Sequence, residues 1–200
     1  MEYVSSRPAE ARRRRISRAL AFHLRHDGEI LTDESGWVPV EVLADRLRSS
    51  GLKITSNELV AVAGSIDEPR FQTRGRRIRA RYGHSIPVTI DYEPYLSIPS
   101  LFHATSIESV NRIFERREGL APMGRQWVHL SSDWRNAVKT GQRKIGPILL
   151  GMSTFPATSD PLMFAGGSTW LTGVVSSDRL FVVPLSDLFC WQLRGGDVIR

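Results

Sequence analysis

The stretch RFQTRGRRIRARYG, residues 70–83, combines the alternation typical of β-strands with a turn at its centre. Positions that suit a strand alternate with polar ones on both sides of Arg74-Gly75; they are Phe71, Thr73, Ile78, Ala80 and Tyr82. Alternation around a glycine-containing turn predicts a β-hairpin. The arginines make this hairpin strongly basic.

Three helices are predicted before the hairpin. Ile16, Leu20 and Leu24 recur every four residues, which predicts an amphipathic helix over residues 8–26. A second helix is predicted after Trp37 and extends through residue 47, and the capping box TSNE at 55–58 begins a third. Three helices followed by a basic hairpin is the order of a winged helix, and nucleic-acid binding is the usual inference from that order.

The pattern changes after the hairpin. DYEPYLSIPS, residues 91–100, has two prolines and no helical period, which predicts a linker. Beyond it, short strands are predicted from Leu101, Val128, Pro147, Thr169 and Leu180, with helices capped by Thr105 and starting near Asp133. The chain is therefore predicted to be α+β, with domains at residues 1–92 and 93–200.

The charge favours a polyanionic partner. The 200 residues include 27 Lys+Arg and 21 Asp+Glu, for a formal net charge of +6. Only Lys53, Lys139 and Lys144 are lysines, so most of the positive charge is guanidinium, which binds phosphate in a bidentate way. The run at residues 12–15, RRRR, is either a solvated helix face or a surface for a nucleic-acid backbone.

Several classes of protein are disfavoured. Cys190 is the single cysteine, which excludes an intramolecular disulfide framework, and no apolar run approaches the roughly 20 residues of a membrane helix. We therefore expect a cytoplasmic protein without membrane attachment. Phosphate-loop, dinucleotide-fold and GxSxG motifs do not occur, and the five histidines lack metal-ligand spacing, so no metal site is expected.

Short polar groups stand at the ends of the predicted elements. Taken singly, each has an ordinary interpretation: Arg25-His26, for example, suits the C-terminal end of a helix. The groups are Arg25-His26, Arg70-Phe71, GHS at 83–85, HAT at 103–105 and GRQWVHLS at 124–131.

In this order and spacing, the groups resemble the RNA 2'-phosphotransferase family, whose bacterial members are called KptA. The resemblance extends from Leu24 to the WLT at 170–172. It implies an N-terminal winged-helix lobe that binds RNA, followed by a C-terminal lobe of the ADP-ribosyltransferase fold that binds NAD.

The resemblance also implies a metal-independent reaction in two steps. An internal RNA 2'-phosphate attacks the nicotinamide-ribose anomeric carbon of NAD and expels nicotinamide. The neighbouring ribose hydroxyl then attacks phosphorus, which releases RNA with a 2'-hydroxyl and ADP-ribose 1'',2''-cyclic phosphate. The implied partner is an RNA with an internal 2'-phosphate, of which tRNA is one candidate, and no protein partner is implied.

The residues that the resemblance assigns fall into two sets. The catalytic set maps onto Arg25, His26, Arg70 and Arg125, since guanidinium donors suit the charge that develops on phosphorus. The NAD-binding set is His84, Ser85, His103, Thr105 and Ser131.

The sequence departs from the family pattern at two positions. Ala104 stands where glycine is usual, and its methyl group is expected to narrow the space beside NAD. Tyr82 stands where glutamine is common, and either stacks on a base or packs under the hairpin.

Two other functions are compatible with the same residues. One is NAD-dependent ADP-ribosylation of a terminal phosphate of RNA or DNA. The other is a non-catalytic winged-helix nucleic-acid binder, although a binder does not require this set of three arginines and a histidine.

Overall fold

The computed structural model describes residues 6–64, 70–95, 100–142, 147–153 and 161–184. The chain divides into two compact units. The first contains residues 1–92, 124–126 and 165–167, and the second contains residues 93–123, 127–164 and 168–200. No helix within the described ranges is long and apolar enough to cross a membrane.

The first unit combines three helices with a small antiparallel sheet. Its helices are α1 (Ser6–His26), α2 (Val40–Ser49) and α3 (Ser56–Ala63), and its strands are β1 (Val38–Pro39), β2 (Phe71–Arg74) and β3 (Arg77–Ala80). The strand order is β1-β3-β2. The predicted hairpin is confirmed: β2 pairs with β3 from Phe71–Ala80 to Arg74–Arg77, and Gly75 takes the turn with a φ of 56°.

The apolar face of α1 forms part of the core of this unit. Ile16, Leu20 and Leu24 are buried against α2, α3 and the hairpin. Burial of each such side chain contributes about 1.5–3 kcal/mol. The capping box of α3 is also confirmed, because the Thr55 hydroxyl accepts a hydrogen bond from the Glu58 amide at 3.2 Å.

The second unit contains two helices and a seven-stranded sheet, apart from residues 165 and 166 at the end of one strand, which are grouped with the first unit. The strands are β4 (Pro94–Tyr95), β5 (Ser100–Ser106), β6 (Val128–Ser131), β7 (Pro147–Ser153), β8 (Leu162–Gly166), β9 (Thr169–Thr172) and β10 (Leu180–Val182), in the order β10-β7-β5-β6-β9-β8-β4. The helices are α4 (Ile107–Phe114) and α5 (Trp134–Gly141). The mixture of helices and antiparallel sheets confirms the predicted α+β class.

Two local predictions in this unit are wrong. The segment predicted as a linker contains β4, whose Pro94 and Tyr95 pair with Met163 and Leu162 of β8. Two residues are too few for strand alternation to show in the sequence, and β8 itself was not predicted.

The cap of α4 also differs from its prediction. Thr105 continues β5 and pairs with Ile148 of β7, and the cap is Ser106, whose hydroxyl accepts from the Ser109 amide at 3.3 Å. Thr105 is buried, so strand pairing and packing outweigh its capping preference. The cap of α5 at Asp133 is as predicted, since its carboxylate accepts from the Arg135 amide at 2.9 Å.

Helix α5 packs on β5 through a glycine. A Cβ atom at Gly141 would overlap the methyl group of Ala104, and would lie 3.6 Å from Pro147 Cβ. The Ala104 side chain is therefore directed at α5, and the small residue in the helix provides its space.

We expect Gly141→Ala to lower the free energy of unfolding by about 1–2 kcal/mol. Overpacking a core costs about 1–3 kcal/mol, and the better helix propensity of alanine offsets part of that cost. Thermal unfolding of Gly141→Ala, Ala104→Gly and the double variant checks this. The double variant should recover stability lost by Gly141→Ala, because removing the Ala104 methyl group makes room for the new methyl group at position 141. If Gly141→Ala were as stable as the parent protein, the close packing of residue 141 against Ala104 would be contradicted.

Candidate active site

The C-terminal end of α1 is joined to the GHS segment by main-chain hydrogen bonds. Carbonyl groups in the last turn of a helix have no amide donor within that helix. The Arg25 carbonyl instead accepts hydrogen bonds from the amides of Ser85 at 2.9 Å and Ile86 at 3.3 Å. The Ser85 hydroxyl lies 2.9 Å from His26 Nδ1. Two motifs about 60 residues apart in sequence are thereby brought together.

The guanidinium of Arg25 lies in a cradle made by Tyr82 and Gly83. Its Cζ atom is 5.0 Å from the centroid of the Tyr82 ring, a cation–π contact. Gly83 has a φ of 89°, and a Cβ atom there would lie 3.2 Å from Arg25 Nε. The Tyr82 ring therefore contacts the guanidinium of Arg25, a contact that the sequence did not predict.

No carboxylate in the described part of the chain pairs with Arg25. Its Nε and Nη2 atoms are buried and have no hydrogen-bond partner among the described residues. Burial, together with repulsion from the neighbouring Arg70 and Arg125, lowers the pKa of Arg25 to about 10. The group remains charged at neutral pH. A buried cation of this kind is stabilised by an anion that fits between the guanidinium groups.

Arg70 and Arg125 reach this region from separate parts of the chain. Arg70 immediately precedes β2, and its carbonyl accepts from the Arg81 amide at 2.9 Å. Arg125 is held by its neighbour Gln126, whose amide donates to the His84 carbonyl at 3.1 Å and whose side chain donates to the Val88 carbonyl at 3.0 Å.

The imidazole of His26 is exposed at the end of α1, beside these cations. Partial burial, followed by the charges of Arg25 and Arg125, lowers the pKa of His26. The lowered pKa favours the neutral imidazole in the free protein. A phosphate bound nearby would counter the guanidinium charges and favour the protonated form.

His84 and Ser85 differ in accessibility. His84 is only 2% exposed, and burial, followed by the charge of Arg25, lowers its pKa to about 4. Its Nε2 atom has no hydrogen-bond partner among the residues described. A Cβ atom at Gly36 would lie 3.8 Å from that nitrogen, so the ring packs beside a glycine turn. Ser85 is exposed.

A buried ionic network fixes the turn that follows α1. Asp27 accepts hydrogen bonds from His23 Nδ1 at 2.7 Å and Arg46 Nε at 3.0 Å, and from the Glu29 amide at 3.1 Å. Burial alone would raise the pKa of Asp27, but these hydrogen bonds outweigh it and lower that pKa to about 2. The network holds the turn beside Arg25-His26, and no sequence pattern indicated it.

The remaining predicted residues lie in the second unit, on adjacent strands. His103 Nδ1 is 2.9 Å from the His129 carbonyl, and β5 pairs with β6 at Phe102 and Ser131. Thr105 is buried further along β5, and the Ser131 hydroxyl donates to the Asp133 carbonyl at 2.7 Å. The methyl group of Ala104 packs against Gly141 of α5, as described above.

The first unit thus places Arg25, His26, Arg70, Arg125, His84 and Ser85 together. Three guanidinium groups and an adjacent imidazole, with no carboxylate paired to Arg25 in the described part of the chain, form a cationic cluster whose chemistry suits an ionised phosphate. Within the described residues, no three His, Cys, Asp or Glu side chains are grouped as a metal ion would require.

Comparison with known proteins identifies the class more closely. Residues 11–172 match the RNA 2'-phosphotransferase, Tpt1 / KptA family. The chain is 36% identical over 171 residues to a protein of Streptomyces coelicolor, covering 83% of this chain and 93% of that protein. It is 36% identical over 173 residues to a protein of Agrobacterium fabrum, covering 83% and 92%. A third relative, from Thermococcus kodakarensis, is 37% identical over 134 residues, covering 66% and 73%.

Each of these three proteins carries the name "Probable RNA 2'-phosphotransferase". The match covers most of the chain and includes every residue of this cationic cluster. The protein belongs to the RNA 2'-phosphotransferase family, the Tpt1 / KptA family.

Proposed function

We propose that this protein removes an internal 2'-phosphate from RNA and that NAD is the acceptor, by way of an ADP-ribosylated RNA 2'-phosphate. The observation that carries the proposal is the buried, unneutralised guanidinium of Arg25, with Arg70 and Arg125 close enough to lower its pKa. Every species along this reaction bears an ionised phosphate, which such a set of cations binds.

The catalytic roles follow from the chemistry of each group. Arg25, Arg70 and Arg125 bind the phosphate oxygens and stabilise the charge that grows on them when phosphorus is attacked. When the bond between phosphorus and the RNA 2'-oxygen breaks, that oxygen needs a proton. His26, adjacent to the arginines and joined to Ser85, is the group that supplies it.

NAD supplies an ADP-ribosyl group with nicotinamide as the leaving group. The residues proposed to contact it are His103, Thr105 and Ser131 in the second unit, and His84 and Ser85 in the first. The donor set of the second unit fits a dinucleotide, because the Nε1 atoms of Trp134 and Trp170 are buried donors without a partner among the described residues. Ribose and diphosphate oxygens are acceptors for such groups.

We also propose what the two units are. The first would be a winged helix that binds RNA, as supported by three helices followed by a basic hairpin in which β3 pairs with both β1 and β2. The second would be a lobe of the ADP-ribosyltransferase type that binds NAD. The proposed domains span residues 1–92 and 93–200.

The decisive experiment is incubation of the protein with NAD and a short RNA bearing one internal 2'-phosphate, followed by mass spectrometry. We expect RNA lacking that phosphate, together with nicotinamide and ADP-ribose cyclic phosphate. A matched RNA with a 5'-terminal phosphate tests the alternative acceptor. Stable ADP-ribosylation of the terminal phosphate alone would overturn the proposal, and so would the absence of nicotinamide release from both RNAs.

A further inference from the structure

One face of α1 carries an exposed aromatic ring between the proposed phosphate site and a row of arginines. At about 100° per residue, Arg15, Arg18, Phe22 and His26 fall within about 80° of the helix circumference. All four are exposed. The apolar residues that form the core lie on the opposite face of the helix.

Phe22 is unusually exposed for a large aromatic residue, at 56%. Its ring is nevertheless held in place, because it packs edge-on against the His23 ring at a centroid distance of 5.2 Å. His23 is buried and hydrogen-bonded to Asp27. The Phe22 ring is also 6.2 Å from the ring of His26. A fixed aromatic surface therefore stands one helical turn from the histidine.

We propose that Phe22 is a stacking platform for one base of the RNA substrate, and that the strand continues along α1 toward Arg18 and Arg15. The inference rests on the proposed function, in which the 2'-phosphate lies at His26. The distance from His26 to Phe22 is about 6 Å along the helix axis, which is within the span of one nucleotide.

The chemistry of this face selects a nucleic acid over a protein partner. A single ring is far smaller than the roughly 800 Å² per partner that a stable protein interface buries. Exposed guanidinium groups next to an aromatic ring are instead the combination that holds single-stranded RNA, because the cations bind phosphates and the ring stacks on a base.

The test is the affinity of the protein, without NAD, for a short RNA with one internal 2'-phosphate, measured by fluorescence anisotropy. Phe22→Ala and Phe22→Leu should weaken binding by roughly 5- to 100-fold, the range expected from losing one base–aromatic stack. Phe22→Trp, which keeps an aromatic surface, should retain the affinity. Loss of affinity in Phe22→Trp equal to that in Phe22→Leu would overturn stacking.

Abasic RNAs locate the base and separate stacking from misfolding. An abasic residue is placed at the 2'-phosphorylated nucleotide or at either neighbour. One of the three RNAs should bind the parent protein more weakly and show no further loss with Phe22→Ala. An equal effect of Phe22→Ala on all three would overturn the proposal, as would no effect on the intact RNA.

Two controls complete the design. Leu31 is an exposed apolar residue of the same unit, at 87%, and lies outside α1, so Leu31→Ala should leave RNA affinity unchanged. Arg18→Gln should reduce the slope of log affinity against log salt by about 0.7, the value for one phosphate contact to a single strand. An unchanged slope would overturn the path along α1.

Turnover with NAD is measured separately on the same RNA. Normal turnover with binding that is insensitive to Phe22 would overturn the platform alone. Absent turnover with intact sensitivity to Phe22 would overturn the proposed function and leave the RNA-binding surface standing.

Discussion

Arg25→Lys should lower kcat for removal of the 2'-phosphate by about 10²–10³-fold, although it conserves the charge. The cradle of Tyr82 and Gly83 fits a flat guanidinium, whose buried Nε and Nη2 atoms have no hydrogen-bond partner among the described residues. An ammonium group offers no fixed pair of donors in that plane, and its stronger hydration makes burial more costly. The loss should therefore appear in the chemical step as well as in binding.

Single-turnover rates with saturating NAD and RNA measure this effect. Arg74→Lys is a matched control, because Arg74 is an exposed arginine of the same unit at the hairpin turn. Thermal unfolding verifies that Arg25→Lys is folded. Should Arg25→Lys retain the parent rate, positive charge alone would suffice at this position, and the role assigned to the guanidinium geometry would be wrong.

The fold of the first unit could be predicted from local patterns. The four-residue repeat of Ile16, Leu20 and Leu24, and the alternation around Arg74-Gly75, each depend on side chains that face a core from a regular element. Such patterns extend over enough residues to be distinguished from chance. The capping side chains of Thr55 and Asp133 were equally visible, because each precedes a clear helical period.

The second unit was less predictable where its elements are short. Strand β4 has only two residues and therefore shows no alternation. The residues of β8 were not predicted to form a strand. Thr105 and Ser106 are adjacent hydroxyl residues that both suit a helix cap. Thr105 is buried in β5, which leaves Ser106, the last residue of that strand, to cap α4.

The residues of the candidate site came from a resemblance, since each motif alone has an ordinary structural explanation. What the sequence could not reveal is how they are held. The hydrogen bonds from residues 85 and 86 to the Arg25 carbonyl, and the contact of Tyr82 with the guanidinium, join positions far apart in the chain. Long-range contacts of this kind leave no periodic signal.

His26→Ala should convert the protein into one that accumulates ADP-ribosylated RNA. The first step requires the phosphate to be held by the arginines, which this variant retains. The second step requires a proton for the departing RNA 2'-oxygen, and removing the positioned imidazole should slow it by about 10²–10⁴-fold. Time-resolved mass spectrometry of the RNA distinguishes the starting, ADP-ribosylated and dephosphorylated species.

A chase establishes that the accumulated RNA lies on the reaction path. The ADP-ribosylated RNA is purified from the His26→Ala reaction and given to the parent protein without NAD, which should release RNA with a 2'-hydroxyl. If folded His26→Ala protein fails to form this RNA, His26 is needed before phosphorus is attacked. His26 would then act in phosphate binding or in the first step, and its assignment as the proton donor of the second step would be wrong.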